Sequence, residues 1–438
     1  MNSKKIGKNP IVTSIYTADP SAHVWEDGRL YVYASHDMDP PQGCDFMDRY
    51  HVFSTEDMVN WRDEGEILRS DDVEWGRPEG GFMWAPDCAY RNGTYYFYYP
   101  HPSDSHWNDT FKVGVATSDN PLKGFVDQGY IEGLGGWCMI DPCVFIDDDD
   151  RVYMYYGGGG MPKGGEMNAD MMTMKTEMFD MEGLVDFHEA SWVFKRNGIY
   201  YMTYSDNHEE NGRGANRLCY AMSDSPLGPW EYKGVYLEPT GCDTSHGSVV
   251  EYKGQWYAFY HNQAISDRGN LRSMCVDKLE FNEDGTIQTV VQTSTGLSPV
   301  GPAPAENPLA VSYKASDCLL DKGARLEETA AGQPVIAGLE AEGAFFRLTK
   351  VDGRSGGRYN IAVQYAAAEK YQKLRLSVND EDLSFVNTVP TGGLDDFSGW
   401  CDFTCRFKPG RTNTVRLTGG NGDVRVCGIV ITPLDENA

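Results

Sequence analysis

IDPCVFIDDDDRVYMYYG, residues 140–157, runs from an acid set before a proline into a series of alternating aromatics. The aromatic half recurs. DGRLYVYAS (27–35), NGTYYFYYP (92–100), DDRVYMYYG (149–157), NGIYYMTYS (197–205) and KGQWYAFYH (253–261) each pass from a turn residue into such a run. Overlaying them superposes Tyr31, Tyr96, Tyr153, Tyr201 and Tyr257, at intervals of 65, 57, 48 and 56 residues. A unit of that length holds several short strands, and its repetition predicts the blades of a propeller, five by this count. STEDMVNW (54–61), SDNPLKGF (118–125) and SDSPLGPW (223–230) follow some of these runs. In each a Ser precedes an aromatic by seven residues through a polar turn, as a hairpin closing a blade would, with the aromatic capping the packing between neighbours.

Composition agrees with an all-β chain. The 26 Tyr, 18 Phe and 10 Trp stand beside 48 Gly in 438 residues, a mixture suited to many short strands and tight turns. GLSPVGPAPAENPL (296–309) carries four prolines and reads as a linker or an extended strap. After it, GRYNIAVQYAA, KLRLSVND, NTVRLTGG and VRVCGIVITP alternate with period two, as half-buried antiparallel strands do. The expected division is a five-bladed propeller over 1–300, a Pro-rich linker over 301–311 and a jelly-roll-like β-sandwich over 312–438.

The formal charge, 38 − 65 = −27, argues against nucleic acid and against an anionic membrane surface, and leaves neutral saccharides as compatible partners. Eleven cysteines are scattered without a C-x-x-C pair, the pattern of reduced, buried thiols in a reducing compartment. MNSKKIGKNP has no apolar h-region, so a cytoplasmic protein is expected, or a secreted one whose leader has been removed. Oligomeric state is not legible.

Three acids share the phase of the aromatic repeat. Asp19 in TADPSAHVW, Asp141 in MIDPCVF and Glu189 in FHEASWVF stand 12 residues before Tyr31, Tyr153 and Tyr201. Each alone could be a turn acid. Together they predict one equivalent position in three blades, converging on the propeller axis. Glycosidic hydrolysis needs a protonated acid and an ionised partner, and a third carboxylate nearby keeps the proton on the first. Trp84 in MWAPD stands 12 residues before Tyr96, so its ring is expected toward the axis, against a sugar face or as a packed core residue. His23, on the Asp19 strand, is either a packed polar residue or a substrate contact.

ADPSAHVW, MWAPDC (83–88), IDPCVFIDDD, EASWVFKRNGIYY and HGSVVEYKGQWYAFYHN together resemble glycoside hydrolase family 43, over roughly residues 8–295. The resemblance implies a five-bladed propeller and an inverting, exo-acting hydrolase of terminal β-xylosyl or α-L-arabinofuranosyl units from arabinoxylan-type oligosaccharides. It implies Asp19 as general base, Glu189 as general acid and Asp141 as the acid that tunes and orients Glu189. It places His246, 11 residues before Tyr257, on the pocket floor beside an ion or waters, and Arg272 against the acids or the sugar. No cofactor is required for this chemistry; a structural calcium at the axis near His246, held through water, fits the resemblance better than one in the run Asp147–Asp150, which lacks EF-hand spacing. An exo-hydrolase of galactose or galactofuranose and a non-catalytic sugar-binding propeller stay open. So does a retaining fructosyl enzyme, although such enzymes usually open with DPN where this chain has DPS. Residues beyond 312 resemble family 6 carbohydrate-binding modules in GRYNIAVQYA, LSVND, VPTGG and RTNTVRL. Leu394 replaces the stacking Trp of those modules, with Phe397 and Trp400 further on, and Cys427 and Gly428 replace a late Asn or Asp. A structural partner for the propeller is the other reading of this domain.

Overall fold

The computed structural model describes residues 7–41, 43–206, 216–302, 307–368, 371–420 and 422–435, so residues 303–306 of the expected linker lie outside the described residues. The chain forms two compact units, and the division is not one cut: residues 16–54 and 66–294 make one, and 1–15, 55–65 and 295–438 the other.

In the first unit five antiparallel sheets follow one another along the described residues, each with strands paired in chain order. Their innermost strands are Tyr16–Val24, Asp87–Arg91, Cys143–Ile146, Phe187–Arg196 and Ser248–Tyr252. The aromatic runs are the second strands: Leu30–Asp37, Thr94–Pro102, Val152–Tyr156, Ile199–Asp206 and Gln255–Asn262. Both faces of a second strand are covered, which is why these runs read as nearly continuous apolar sequence. Tyr31, Tyr33, Tyr98, Tyr99, Tyr155, Tyr201 and Tyr204 are all buried. A buried phenol needs an acceptor, and several find one in the next blade. The Tyr33 hydroxyl donates to the Pro121 carbonyl at 3.0 Å and Tyr155 to that of Pro226 at 2.6 Å. Those prolines lie in the two SD-x-P-L hairpins, where Phe125 and Trp230 are buried, so the hairpins latch one blade to the blade before it.

Strand register fixes which residues are equivalent. The superposed tyrosines pair across their first hairpins with His23, Ala89, Phe145, Phe194 and Val250. Two residues before these partners stand Ser21, Asp87, Cys143, Trp192 and Ser248, and this position ties the blades together around the axis. Ser21 Oγ donates to Asp87 Oδ1 at 2.8 Å, and Asp87 Oδ2 accepts the Val144 N–H at 2.6 Å. Cys143 Sγ accepts the Val193 N–H at 3.3 Å, Trp192 Nε1–H donates to the Val249 carbonyl at 3.0 Å, and Ser248 Oγ accepts the Ala22 N–H at 3.1 Å. These bonds join blades one to two, two to three, three to four, four to five and five to one. The ring is closed by side chains of one repeated position, satisfying inner-strand groups that would otherwise be buried without partners.

The second unit is a sandwich. One sheet holds Arg325–Glu328, Pro334–Ala337, Val424–Pro433, Gly357–Ala367 and Gly399–Phe407, with Val311–Lys314 paired to Val424–Pro433; the other holds Leu319–Asp321, Phe345–Val351, Asn413–Thr418, Gln372–Val378 and Glu381–Thr388. Ile336, Phe346, Leu348, Ile361, Val363, Leu374, Phe403, Val415 and Leu417 fill its core. The N-terminal segment and the tip of the 55–65 hairpin are built into this unit. Asn387 Nδ2 donates to the Thr13 carbonyl at 2.9 Å, Lys8 Nζ to the Pro390 carbonyl at 3.0 Å, and Thr404 Oγ1 to the Asp63 carbonyl. The eleven cysteines are all free.

Candidate active site

Four residues before the tyrosine partners named above stand Asp19, Ala85, Asp141, Ala190 and His246. Asp19, Asp141 and His246 are therefore equivalent, and Glu189 is not. It occupies the preceding position, the level of Trp84 in blade two. The common spacing of 12 residues misleads because it counts turn residues. The first hairpins of blades one and three turn through residues 25–29 and 147–151, whereas those of blades two, four and five turn through 92–93, 197–198 and 253–254. The backbone agrees with the register: Asp19, Asp141 and Ala190 take φ of 53°, 54° and 67°. A non-glycine residue in this left-handed region costs about 1–2 kcal/mol, and the cost recurs at one structural position of all three acid-bearing blades.

Asp19 is buried, with an ion pair to Arg272 Nη1 at 2.9 Å and a hydrogen bond from Ser35 Oγ at 2.9 Å. Burial pushes its carboxyl up, but the Arg272 guanidinium, with His246 and the Ser35 hydroxyl, outweighs burial and holds it below the ordinary carboxylate value. Arg272 is fixed in turn by Asp37, Nε to Oδ2 at 3.0 Å and Nη2 to Oδ1 at 2.9 Å, the fork geometry that suits a guanidinium. Asp141 accepts the Ala190 N–H at 2.7 Å, so it grips the backbone immediately after Glu189. His246 Nδ1 lies 3.5 Å from Asp141 Oδ2. Burial would lower this imidazole, and the carboxylates of Asp141, Asp19 and Glu189 raise it above its usual value.

Glu189 keeps 16 % of its side chain exposed, and His188 Nε2 stands 3.5 Å from its Oε2. Burial first, then the neighbouring Asp141 charge, push its carboxyl up to about 8, with Asp19 adding to the rise and His246 and Arg272 opposing it. One carboxyl held ionised beside one held protonated is the division of labour that acid–base cleavage of a glycoside requires.

Of the other sequence-predicted residues, Arg272 and His246 join the acids. Trp84 lies just ahead of the inner strand Asp87–Arg91, its carbonyl accepting the Tyr50 hydroxyl at 2.6 Å. Tyr50 is buried, and burial together with the charges of Asp19 and Asp141 raises its phenol. The Trp84 ring packs against Phe111, centroids 4.8 Å apart, and its Nε1–H donates to the Cys44 carbonyl. His23 is not brought to the acids. It is four residues along the inner strand from Asp19, roughly 13 Å at 3.3 Å per residue. Its Nε2 bonds Asp87 Oδ1 at 2.8 Å and its ring stacks on Trp25 at 4.8 Å, in a funnel of about 500 Å³ lined also by Tyr90, Trp192 and Lys195.

A calcium near His246 would be held through water. The ion takes six to eight oxygen ligands, and among the described residues no group of three His, Cys, Asp or Glu side chains is placed to hold a metal. Among the described residues no helix is long and apolar enough to cross a membrane.

Sequence reasoning missed Asp37, Tyr50, Thr244 and His261. His261 stands four residues after Tyr257, as Ser35 does after Tyr31, so the repeat phase that marked the acids also marks their partners at the far end of the second strand.

The family model of glycosyl hydrolases family 43 matches residues 7–287. A xylosidase/arabinosidase of Bacteroides ovatus is 35% identical over 334 residues, 65% of this chain and 98% of its own length. A crystal structure of a family 43 β-xylosidase/α-arabinofuranosidase from a compost metagenome, in complex with xylotriose in a calcium-free form, is 33% identical with a TM-score of 0.57, covering 66% of this chain and 98% of the other. An arabinoxylan arabinofuranohydrolase of Bacillus subtilis, in complex with cellotetraose, covers 98% of both chains at 22% identity and a TM-score of 0.61, a likeness of fold.

Proposed function

Because the chain belongs to glycosyl hydrolases family 43, we propose that Asp19, Asp141 and Glu189 perform inverting hydrolysis of terminal, non-reducing pentose units, β-xylosyl or α-L-arabinofuranosyl, on arabinoxylan-type oligosaccharides. The observation that carries this reading is the opposite tuning of Asp19 and Glu189. Asp19, ionised beside Arg272, takes one proton from a water molecule as its oxygen bonds to the anomeric carbon. The bond from that carbon to the leaving oxygen breaks, and the Glu189 proton goes to that oxygen. The sugar leaves with inverted configuration, and Asp19 returns its proton while Glu189 regains one through solvent. Asp141 keeps Glu189 protonated by its charge and holds it in place through the Ala190 amide. Trp84 is the aromatic face offered to the sugar.

Proton NMR of hydrolysis, run on aryl β-xyloside, aryl α-L-arabinofuranoside, aryl β-galactoside, xylobiose and arabinoxylo-oligosaccharides, tests the proposal. Initial release of a pentose with inverted configuration is expected. Release of the retained anomer removes the mechanism, and turnover of the galactoside alone removes the pentose.

We propose a scaffolding role for the second unit. The bonds of Thr13, Lys8 and Asp63 to the sandwich support it, together with burial of Val59 and Trp61 in the 55–65 hairpin. Truncation after residue 294 is then expected to abolish soluble expression. A soluble, fully active truncated protein would show the sandwich to be a separable module.

A further inference from the structure

We propose that His261 is the positioning residue for the catalytic base: a neutral imidazole that holds the Asp19 backbone in its left-handed turn and ties it to the Thr244–Arg272 pair. The inference rests on the reading of Asp19 as base.

The Asp19 N–H donates to His261 Nδ1 at 3.2 Å, and His261 Nε2–H donates to the Thr244 carbonyl at 2.9 Å. Both ring nitrogens are committed, so the pattern fixes one tautomer, with its proton on Nε2. An imidazolium would present a second donor to the donating Asp19 amide and could not keep this bond. The ring is buried beside Arg272, and burial followed by that charge pulls it down to about 3, so it stays neutral throughout the pH range in which a carboxylate base works.

The consequence for the base is geometric. Asp19 stands at φ 53° on a β-bulge between Ala18 and Ser21, where the strand register breaks and the partner strand leaves its amide unpaired. His261 supplies the missing acceptor from blade five. The far side of the same ring grips Thr244, whose hydroxyl accepts from Arg272 Nη1 at 2.9 Å, and that same Nη1 donates to Asp19 Oδ1 at 2.9 Å. One imidazole thus closes a loop through Thr244, Arg272 and the Asp19 carboxylate back to the Asp19 amide. Without it a buried N–H is orphaned and the bulge relaxes, carrying the carboxylate from the position where it meets the attacking water. Misplacement of a reacting group by about 1 Å costs on the order of 100-fold in rate.

Two variants test this. His261→Asn sets an amide oxygen near the Nδ1 place and keeps the bond to Asp19 while losing Thr244; His261→Leu offers neither bond. Per folded molecule, His261→Leu is expected to lose about 100-fold in kcat with KM within about threefold of wild type, and His261→Asn to recover at least about tenfold of that loss. A role confined to stability would lower the melting temperature of both variants and leave kcat per folded molecule unchanged. Should the His261→Leu protein not fold, His261→Gln takes its place; it keeps a donor for Thr244 without the acceptor for Asp19, and kcat equal to that of His261→Asn overturns the proposal. A folded His261→Leu with wild-type kcat also overturns it. Asp19→Asn, run alongside, separates the premises: an active Asp19→Asn removes the base assignment, whereas an inactive one beside an unimpaired His261→Leu removes the positioning role alone.

Discussion

Asp87 and Glu189 are both carboxylates beside the same axis, and the chain treats them oppositely. Asp87 accepts from Ser21 Oγ, His23 Nε2 and the Val144 amide, and is part of the side-chain ring that binds blade to blade. The Glu189 carboxyl has His188 Nε2 3.5 Å from its Oε2, faces the charges of Asp141 and Asp19, and keeps its proton up to about 8. A buried carboxylate whose three hydrogen bonds join one blade to the next is architecture. One left short of donors beside a like charge is poised for proton transfer. The inner strands thus carry structure at one end and chemistry at the other, a few residues apart.

The sharpest way to break this contrast is to neutralise one acid at each end. Asp19→Asn is expected to lose at least about 10⁴-fold in kcat on every substrate, because the water loses its base. Asp87→Asn is expected to keep kcat within about threefold per folded molecule while melting several degrees lower, since it weakens the ring. Steady-state kinetics with calorimetry checks both, and the reverse pattern would place the chemistry at the His23 end. Glu189→Gln follows in size. About 10³-fold should be lost on xylobiose and far less on an aryl glycoside whose phenol departs without a proton. An equal loss on both substrates would remove Glu189 as the acid.

How far such a contrast is legible in sequence depends on what the spacing measures. The five blades were visible because each second strand is covered on both faces and must read as an aromatic run. The acids were visible because they keep a fixed distance from that run. Yet the distance that brought Glu189 into line with Asp19 and Asp141 is a coincidence of five-residue against two-residue turns, and only pairing register separates Ala190 from Glu189. His23 was drawn toward the site by its strand, but strand distance carries it to Asp87. Asp37 and His261 went unread because their partners, Arg272 and Asp19, lie more than 230 residues away in sequence, and no local pattern records such a contact. The same holds for the unit boundary. A Pro-rich stretch marks where a chain can separate, while the residue bonds of Thr13 and Asp63 decide which side each segment joins.

Asp141→Asn sharpens the contrast without destroying it. The amide oxygen of Asn can still accept the Ala190 N–H, but the negative charge beside Glu189 is gone. That charge favours the protonated form of Glu189, so its removal lowers the Glu189 pKa. The alkaline limb of kcat/KM, set near 8 in the wild type by Glu189, should move down by at least about one unit. At neutral pH the loss should be about 10-fold to 100-fold, partly restored on acidification. An unmoved limb would mean that burial alone holds the proton and that Asp141 acts only through the Ala190 amide.

The smallest effect is on stability, and it separates poise from architecture without any substrate. Below the ordinary glutamate value of 4.5, Glu189 is protonated in both folded and unfolded chains and costs nothing. Between 4.5 and about 8 the unfolded chain releases the proton while the folded chain keeps it, so folded-state stability falls as pH rises and levels off above 8. Glu189→Gln carries no such dependence. Its melting temperature should therefore gain on the wild type by a few degrees between pH 4.5 and 8.5, read by calorimetry at matched ionic strength. Asp87→Asn, which replaces a carboxylate that accepts three hydrogen bonds, should lose stability across the same range. If the two variants respond alike, the difference between a poised and a structural carboxylate in this propeller does not lie in their hydrogen bonding.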